Sequence, residues 1–238
     1  TSHAIERTRS NAVYKGVTSL LSNYLWPEIA FHLTRLAATL RMTPNMVTAI
    51  GAILCVVATV LFWRGDYWAG VACGFVFMVL DTVDGKLARC TITSSKWGNV
   101  FDHGIDLVHP PFWWVAWAVG LNAWGLAFTP STFALVMVAI FAGYVFQRLI
   151  EGTFLKTVQM DMHVWRPFDS WFRLITARRN PNMVILVASL VLGRPDLGII
   201  AVAWWTVISL AVHLVQLVQM MIARRRGEEI RSWLVEAA

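Results

Sequence analysis

Apolar residues run in long blocks along most of this chain, separated by short polar stretches. About 20 consecutive apolar residues cross the hydrocarbon core of a bilayer as a helix. Six blocks are candidate spans, at residues 44–63, 67–89, 98–120, 131–155, 182–193 and 197–222. The pattern therefore predicts an all-α, polytopic membrane helix bundle with six transmembrane helices, of which the fifth is the shortest.

The segment before the first block has an amphipathic pattern. Four apolar residues recur there at helical spacing: Ile29, Leu33, Leu36 and Leu40. Such a stripe is typical of a helix that lies in the plane of the membrane interface. Thr43 and Pro44 fit the N-cap and the first helical position of the first span. We therefore expect an interfacial amphipathic helix in front of the transmembrane helices.

Positive charge is sorted sharply around the blocks. Of the 20 Lys and Arg residues, all but Arg64 and Arg194 lie on one predicted side, in the stretches 1–43, 86–96, 148–179 and 224–231. By the positive-inside rule this side is cytosolic, and it carries both termini. The predicted organisation has three parts: a cytosolic and interfacial segment at 1–43, a transmembrane domain at 44–223 and a basic cytosolic tail at 224–238.

Composition excludes a soluble enzyme as the default, because 57% of residues are hydrophobic, 14% are charged and the mean hydropathy is +0.58. The net charge of +6 reflects topology and attraction to anionic lipid headgroups, so no nucleic-acid partner is expected. Neither a signal peptide nor a cysteine-based disulfide or zinc framework is expected. The tryptophans are interpreted mainly as interfacial anchors, for example Trp63, Trp68, Trp113, Trp114 and Trp117.

Four carboxylates occur where membrane spans should carry none, at the end of the second block and the start of the third. They are Asp81, Asp84, Asp102 and Asp106. Each charge at membrane depth costs roughly 2.5–3.5 kcal/mol, so the group needs compensation. Each pair lies on one stripe of its helix, and the two stripes can face each other. Converging carboxylates are the ligands of hard cations such as Mg²⁺, Mn²⁺ or Ca²⁺, and two divalent ions would balance the four charges.

Small residues and cations accompany these carboxylates. Gly85 and Ala88 on the second span, and Gly98 on the third, leave space for a ligand to approach the backbone. Arg89 and Lys86 are expected at the cytosolic mouth, where they can meet negative charge. The sequence therefore predicts a metal site that accepts a phosphate-bearing substrate.

The segment reads Asp81-x2-Asp84-Gly85-x2-Ala88-Arg89-x8-Gly98-x3-Asp102-x3-Asp106. This pattern resembles the complete signature of the CDP-alcohol phosphotransferase (CDP-alcohol phosphatidyltransferase) family, with every fixed residue and every spacing met. The predicted spans, the interfacial helix and the cytosolic site also agree with that family. The resemblance therefore extends over most of the chain and makes 44–223 a catalytic domain.

The resemblance implies a site with two divalent cations, Mg²⁺ or Mn²⁺. Asp81, Asp84 and Asp102 would be ligands, and Asp106 would be the general base that also contacts a metal. Cytidine would lie along the small-residue stripe with Arg89 near the phosphates. The implied reaction moves a phosphatidyl or other substituted phosphate group from a CDP-alcohol, foremost CDP-diacylglycerol, to a small polar acceptor and releases CMP. A homodimer in a bacterial inner membrane, with a cytosolic active site, is also implied.

The acceptor is left open by the motif. An anionic acceptor such as glycerol phosphate or inositol phosphate needs guanidinium groups, and the candidates are Arg148, Arg178 and Arg179. Arg148 equally fits a simple intrahelical pair with Glu151. Choline would want an aromatic cage, but the tryptophans of the third block lie toward the outer side. We therefore favour a polyol or polyol phosphate over choline, with ethanolamine and serine as further alternatives.

Two other function classes compete with this interpretation. Intramembrane prenyltransferases also use Asp-rich metal sites, but their two motifs lie in separate halves. A divalent-cation transporter would spread acids over several helices of two related halves. Of the nearby histidines, His103 and His109 are expected to be hydrogen-bonded packing residues, and His32 and His213 receive no role.

Overall fold

The computed structural model describes residues 26–91 and 96–236 of the chain. Within these ranges the regular structure is entirely helical, which confirms the all-α prediction. The chain divides into two compact units, Thr1–Ala127 and Phe128–Ala238. The first unit carries the Asp-rich signature and the second carries the candidate acceptor arginines.

The described part of the first unit has four α-helices, α1 (Trp26–Thr39), α2 (Pro44–Arg64), α3 (Tyr67–Thr91) and α4 (Lys96–Gly120), and a short 3-10 helix, Leu121–Trp124. Helix α2 packs against both α3 and α4, and α1 packs against α3. The predicted amphipathic segment is thus helical. Ile29, Leu36 and Leu40 are exposed, whereas Ala30 and Ala37 are buried. The apolar stripe therefore faces away from the protein core.

The start and end of α2 follow from its local sequence. The Thr43 hydroxyl accepts a hydrogen bond from the Met46 backbone N–H at 3.3 Å, and Pro44 occupies the first turn. This confirms the predicted N-cap. At the other end Gly65 adopts φ 80°, a left-handed conformation that glycine reaches without steric cost, and its N–H caps the helix. The short link lets α3 begin at Tyr67 and return antiparallel to α2.

Aromatic side chains fill the end of the first unit that is remote from the signature. The rings of Tyr67 and Trp117 stack with centroids 4.2 Å apart, and the Tyr67 hydroxyl donates to the Trp117 carbonyl at 2.6 Å. Trp113 donates from its indole to the Cys55 carbonyl at 3.2 Å and packs edge-on against Phe62. These contacts join α2, α3 and α4 into one packed core.

The prediction that the tryptophans are mainly interfacial anchors is wrong for Trp113, Trp114 and Trp117, which are buried. An amphipathic indole suits a core position equally well when its N–H finds a buried acceptor. Trp63 and Trp68 are more than half exposed, as an interfacial role requires. The buried three make ring contacts with one another and with Phe62 and Tyr67.

The described part of the second unit has five α-helices, α5 (Pro130–Val158), α6 (Pro167–Ile175), α7 (Arg179–Val191), α8 (Pro195–Arg225) and α9 (Trp233–Glu236), and a short 3-10 helix, Met162–Val164. Helix α8 packs against α5 and α7. Pro130 and Pro195 occupy the first turns of the two long helices, where the missing N–H has no intrahelical partner to lose.

Four helices in the described ranges are long and apolar enough to cross a membrane: α2, α3 through Leu87, α5 and α8. These helices make the chain an integral membrane protein. Helix α4, at 25 residues, matches the predicted third span in length. Helix α7 has 13 residues, or about 20 Å at 1.5 Å per residue, against a hydrocarbon core of about 30 Å.

Two glycines give opposite expectations for substitution by alanine. A Cβ on Gly120 would clash with the Phe62 carbonyl oxygen, whereas a Cβ on Gly152 meets nothing within 4 Å. We expect Gly120→Ala to destabilise the protein by about 1–3 kcal/mol or more, because the backbone at Phe62 or at Gly120 must move. Gly152→Ala should stabilise α5 by up to about 1 kcal/mol. Thermal unfolding in detergent measures the Tm of both variants. Shifts of Tm with the same sign would contradict the prediction.

Candidate active site

Asp81 and Asp84 lie on α3, and Asp106 lies on α4. Asp84 is 4% exposed, whereas the Asp106 carboxylate is exposed. The charges of Asp81 and Asp106 both act on Asp84, so the structure brings these three carboxylates together. The fourth predicted carboxylate, Asp102, has its side chain outside the described part of the chain. The facing of the two stripes predicted from helical spacing therefore stays a prediction, because Asp106 is the one carboxylate of the second stripe whose side chain is described.

The two oxygens of Asp84 have different surroundings. Oδ2 accepts a hydrogen bond from the Thr48 hydroxyl of α2 at 2.6 Å. Oδ1 is buried and has no hydrogen-bond partner among the described residues. A buried carboxylate oxygen without a partner is costly in a protein interior. One oxygen is therefore fixed by the protein and the other is open to a ligand.

The predicted CDP-binding residues are only partly described. Gly85 is half-buried on α3. The structure describes the helical backbone at Ala88, Arg89 and Gly98, but not the surroundings of these residues. Lys86 is 2% exposed, although the sequence placed it at the cytosolic mouth. It lies on α3 beside Leu87, which is also buried.

The carboxylate group fits divalent cations. Carboxylate oxygens are the preferred ligands of Mg²⁺ and Mn²⁺, and clustered acids at membrane depth need positive charge near them. The open Oδ1 of Asp84 offers such a ligand atom in a buried position. The residues present therefore suit the metal site that the signature predicts.

A second polar group occupies the other unit. Its members are Glu151, Arg148, Arg173, Arg178, His163 and His213, here called the Glu151 cluster. Arg178 Nη2 donates to both Glu151 oxygens, at 2.6 and 2.7 Å, and Arg148 Nη2 donates to Oε1 at 2.9 Å. The intrahelical pair of Arg148 and Glu151 is thus observed. Arg179 donates to the Asn180 side chain at 3.2 Å.

Sequence reasoning missed the two histidines of the Glu151 cluster. His163 and His213 each place Nε2 3.4 Å from Glu151 Oε1. His213 is fully buried in α8, and its Nδ1 donates to the Ser209 carbonyl at 2.6 Å. A histidine inside an apolar span is itself a signal of function or of a polar partner. Its partner could not be named, because Glu151 is 62 residues away.

The Glu151 cluster has more positive than negative charge. Burial and the Arg178 charge lower the pKa of Arg173 to about 9, so Arg173 stays charged at neutral pH. Burial, with the charges of Arg173 and Arg178, lowers the pKa of His163 to about 4, so His163 is neutral. Arg148 and Arg178 bind the Glu151 carboxylate, the charge of Arg173 lies near it, and the Asp161 charge also acts on Arg148 and Arg173, so three guanidinium groups meet two carboxylates. Arg148 Nε, Arg173 Nη1 and Arg178 Nε are buried without a partner in the described ranges.

This charge balance decides which ligand suits the Glu151 cluster. The ligand atoms of Glu151, His163 and His213 lie within 4.8 Å of one another, close enough to hold a metal ion. A cation there would face the guanidinium groups that already bind the carboxylate. An anion would instead meet N–H donors of three arginines that have no partner among the described residues, and guanidinium groups suit carboxylate and phosphate. The cluster is therefore better suited to an anionic group.

Sequence comparisons identify relatives of the signature region. A sequence model of the CDP-alcohol phosphatidyltransferase family matches residues 41–177. An uncharacterized class-I protein of that family from Schizosaccharomyces pombe is 32% identical over 106 residues, covering 40% of this chain and 28% of that protein. Human cholinephosphotransferase 1 is 34% identical over 82 residues, covering 30% of this chain and 20% of that protein. The chain thus matches less than a third of the length of these relatives.

Solved structures share the fold. Phosphatidylinositol phosphate synthase of Mycobacterium tuberculosis with CDP-DAG bound has a TM-score of 0.58 at 17% identity, covering 80% of this chain and 94% of that chain. The same enzyme with manganese and citrate has a TM-score of 0.58 at 15% identity, covering 78% and 87%. The family match spans more than half of the chain and contains the whole signature. The chain therefore belongs to the CDP-alcohol phosphatidyltransferase family.

Proposed function

We propose that this protein transfers a phosphatidyl or other substituted phosphate group from a CDP-alcohol to the hydroxyl of a small polar acceptor and releases CMP. CDP-diacylglycerol is the favoured donor, since the chain is a membrane protein with long apolar helices. The observation that carries the proposal is the buried Asp84, with one oxygen open and the charges of Asp81 and Asp106 beside it. CDP-alcohol phosphotransferases use Mg²⁺ or Mn²⁺, and these carboxylates suit both ions.

In this proposal Asp81, Asp84 and Asp102 hold two divalent cations, and Asp106 also contacts one of them. When bound, the two ions clamp the pyrophosphate and stabilise negative charge on the departing CMP oxygen. Asp106 accepts the proton of the acceptor hydroxyl as that oxygen attacks the phosphorus nearer the lipid. Because its carboxylate is exposed, Asp106 can pass the proton to water.

The proposed CDP pocket lies along the small residues of the signature. Gly85, Ala88 and Gly98 leave the backbone accessible to cytidine, because they lack bulky side chains. Arg89 and Lys86 supply positive charge for the phosphates.

We propose an anionic acceptor, a polyol phosphate, bound by the arginines of the second unit. Arg148, Arg178 and Arg179 are the residues proposed from the sequence, and the Glu151 cluster adds Arg173. Support comes from the surplus of guanidinium groups and from their unused buried N–H donors. Choline is the first alternative, because some relatives are cholinephosphotransferases. Free polyols, ethanolamine and serine are further alternatives that use the same chemistry.

The proposed setting is a bacterial inner membrane with the active site and both termini on the cytosolic side. Six transmembrane helices, with the amphipathic helix at the interface, remain part of this proposal. The proposal also keeps the division into an interfacial segment at 1–43, a catalytic domain at 44–223 and a tail at 224–238. A homodimer is proposed by family resemblance. The arrangement fits a donor that is a membrane lipid and a product, CMP, that leaves in water.

CMP release tests the donor and the chemistry. The purified full chain, in detergent with CDP-diacylglycerol and an acceptor mixture, should release CMP with Mg²⁺ or Mn²⁺ and not with chelator. Absence of CMP under both metals, with a protein that is folded by circular dichroism, would contradict the proposed reaction. A cation transporter would release none.

An acceptor panel tests the role of the arginines. We expect glycerol phosphate or inositol phosphate to be better acceptors than myo-inositol, serine, choline or ethanolamine. Arg148→Ala and Arg173→Gln should raise KM for the anionic acceptor by roughly 10-fold or more, since a hydrogen bond to a charged group contributes about 1.5–3 kcal/mol. Affinity for the CDP-lipid should be little changed in both variants. Product formation with each acceptor, measured by lipid mass spectrometry, gives the result.

The control for the panel is Arg225→Ala, which removes an exposed arginine of α8. Its KM values should match those of the wild type. If the protein transfers efficiently to choline, and neither Arg148→Ala nor Arg173→Gln alters that transfer, the proposal of an anionic acceptor is overturned. The choline alternative is then favoured.

A further inference from the structure

Thr48 joins two helices through its side chain. Its hydroxyl on α2 donates to Asp84 Oδ2 on α3 at 2.6 Å, and both residues are buried. The same oxygen lies 3.0 Å from the Pro44 carbonyl, which is the local bond that a helical threonine usually makes. The shorter contact goes to the carboxylate, as expected for a charge-assisted bond. Thr48 therefore belongs to the surroundings of Asp84 as well as to its own helix.

The comparison with other threonines in the same unit shows that this contact is specific. Thr59, also on α2, donates to the carbonyl of Cys55 at 2.8 Å, four residues earlier. Thr82 on α3 makes the same kind of bond to Met78 at 3.4 Å. These local bonds satisfy a hydroxyl inside an apolar helix and need no tertiary partner. Thr48 differs because it reaches a carboxylate 36 residues away.

The hydrogen bond fixes how the Asp84 carboxylate is turned. Thr48 holds Oδ2, which limits rotation of the carboxylate, and Oδ1 is the buried atom without a partner among the described residues. Groups that hydrogen-bond a ligating side chain orient it toward its metal, and their loss typically lowers metal affinity about 10–100-fold. Thr48 has the position and the chemistry of such a group.

We propose that Thr48 is a positioning residue for divalent-cation binding, which holds Asp84 so that Oδ1 is presented to the metal. This rests on the proposed function, in which Asp84 is a metal ligand. Thr48 lies outside the signature, so the motif alone does not assign it this role.

The test measures metal binding directly, in the purified full chain without substrate. Mn²⁺ is titrated into wild type, Thr48→Val, Thr48→Ser and Thr59→Val. Electron paramagnetic resonance measures the free Mn²⁺ at each step. Valine keeps the shape of threonine and removes the hydroxyl, whereas serine keeps the hydroxyl. We expect Kd for Mn²⁺ to rise about 10-fold or more in Thr48→Val. Thr48→Ser should bind nearly as tightly as wild type, and Thr59→Val should be unchanged.

The outcomes separate this inference from the proposed function. If wild type binds no Mn²⁺, the proposed metal site itself fails. If wild type binds Mn²⁺ and Thr48→Val binds it equally well, Thr48 has no positioning role. Equal weakening in the valine and serine variants also overturns the inference, since the hydroxyl would not be the cause. Should Thr48→Val not fold, Thr48→Cys takes its place, because a thiol is only a weak donor.

Discussion

Asp106→Asn should abolish CMP release while metal-dependent binding of the CDP-lipid persists. An amide cannot accept the proton of the acceptor hydroxyl, and general base catalysis contributes typically about 10²–10⁴-fold. Asp106 is exposed on α4, so its replacement leaves the packed core of the first unit intact. The measurements are CMP release at saturating substrates and CDP-diacylglycerol binding with Mn²⁺ present. Loss of turnover with binding retained is the result that a proton acceptor predicts.

The control for Asp106→Asn is Asp66→Asn. Asp66 is an exposed carboxylate between α2 and α3 that lies 3.4 Å from Arg64, at the far end of both helices from the signature. Its replacement should leave turnover unchanged. Near-normal CMP release by Asp106→Asn would exclude Asp106 as the base. Loss of lipid binding together with turnover would instead assign Asp106 mainly to metal binding.

Glu151→Ala should destabilise the protein more than any surface change. Removing one partner of a buried ion pair costs about 3–5 kcal/mol, because the remaining charge is left uncompensated. Here Arg148 and Arg178 would both lose their carboxylate, and Arg173 would add repulsion. At about 2–4 °C per kcal/mol for a chain of this size, Tm should fall by roughly 10 °C. Thermal unfolding in detergent, followed by circular dichroism, measures the change.

The matched control is Glu229→Ala, which breaks an exposed ion pair of 2.7 Å with Arg231. Exposed pairs contribute about 0–1 kcal/mol, so its Tm should hardly move. Glu151→Gln keeps the size of the side chain, and its Tm should lie between those of Glu151→Ala and Glu229→Ala. Equal Tm values for Glu151→Ala and Glu229→Ala would show that the Glu151 cluster does not stabilise the fold.

The features predicted correctly from the sequence depend on local spacing. Asp81 and Asp84 come together through helical periodicity, and the Thr43 cap and the pair of Arg148 with Glu151 need three residues or fewer between partners. Block length likewise predicted the long apolar helices. Such features are decided within one helix, where residue spacing fixes which side chains are neighbours.

The features that were missed depend on contacts between helices. Nothing in the sequence pairs Thr48 with Asp84, or His213 with Glu151, because helix packing rather than spacing brings them together. Trp113 was misassigned for a related reason. Its side chain suits an interface or a core, and only the neighbouring helices show which one it meets.

The order of synthesis decides which charges of the Glu151 cluster can pair first. Synthesis proceeds from the N-terminus, so Arg148 and Glu151 emerge together on α5, before His163, Arg178 and His213 exist. During that interval the intrahelical pair is the bond within the cluster that can form, and it leaves Lys156 as the one unpaired charge that α5 brings to the bilayer. Arg178 and His213 can join only when α7 and α8 follow. The same bond that occupies Arg148 in the finished protein thus assists the membrane insertion of its helix.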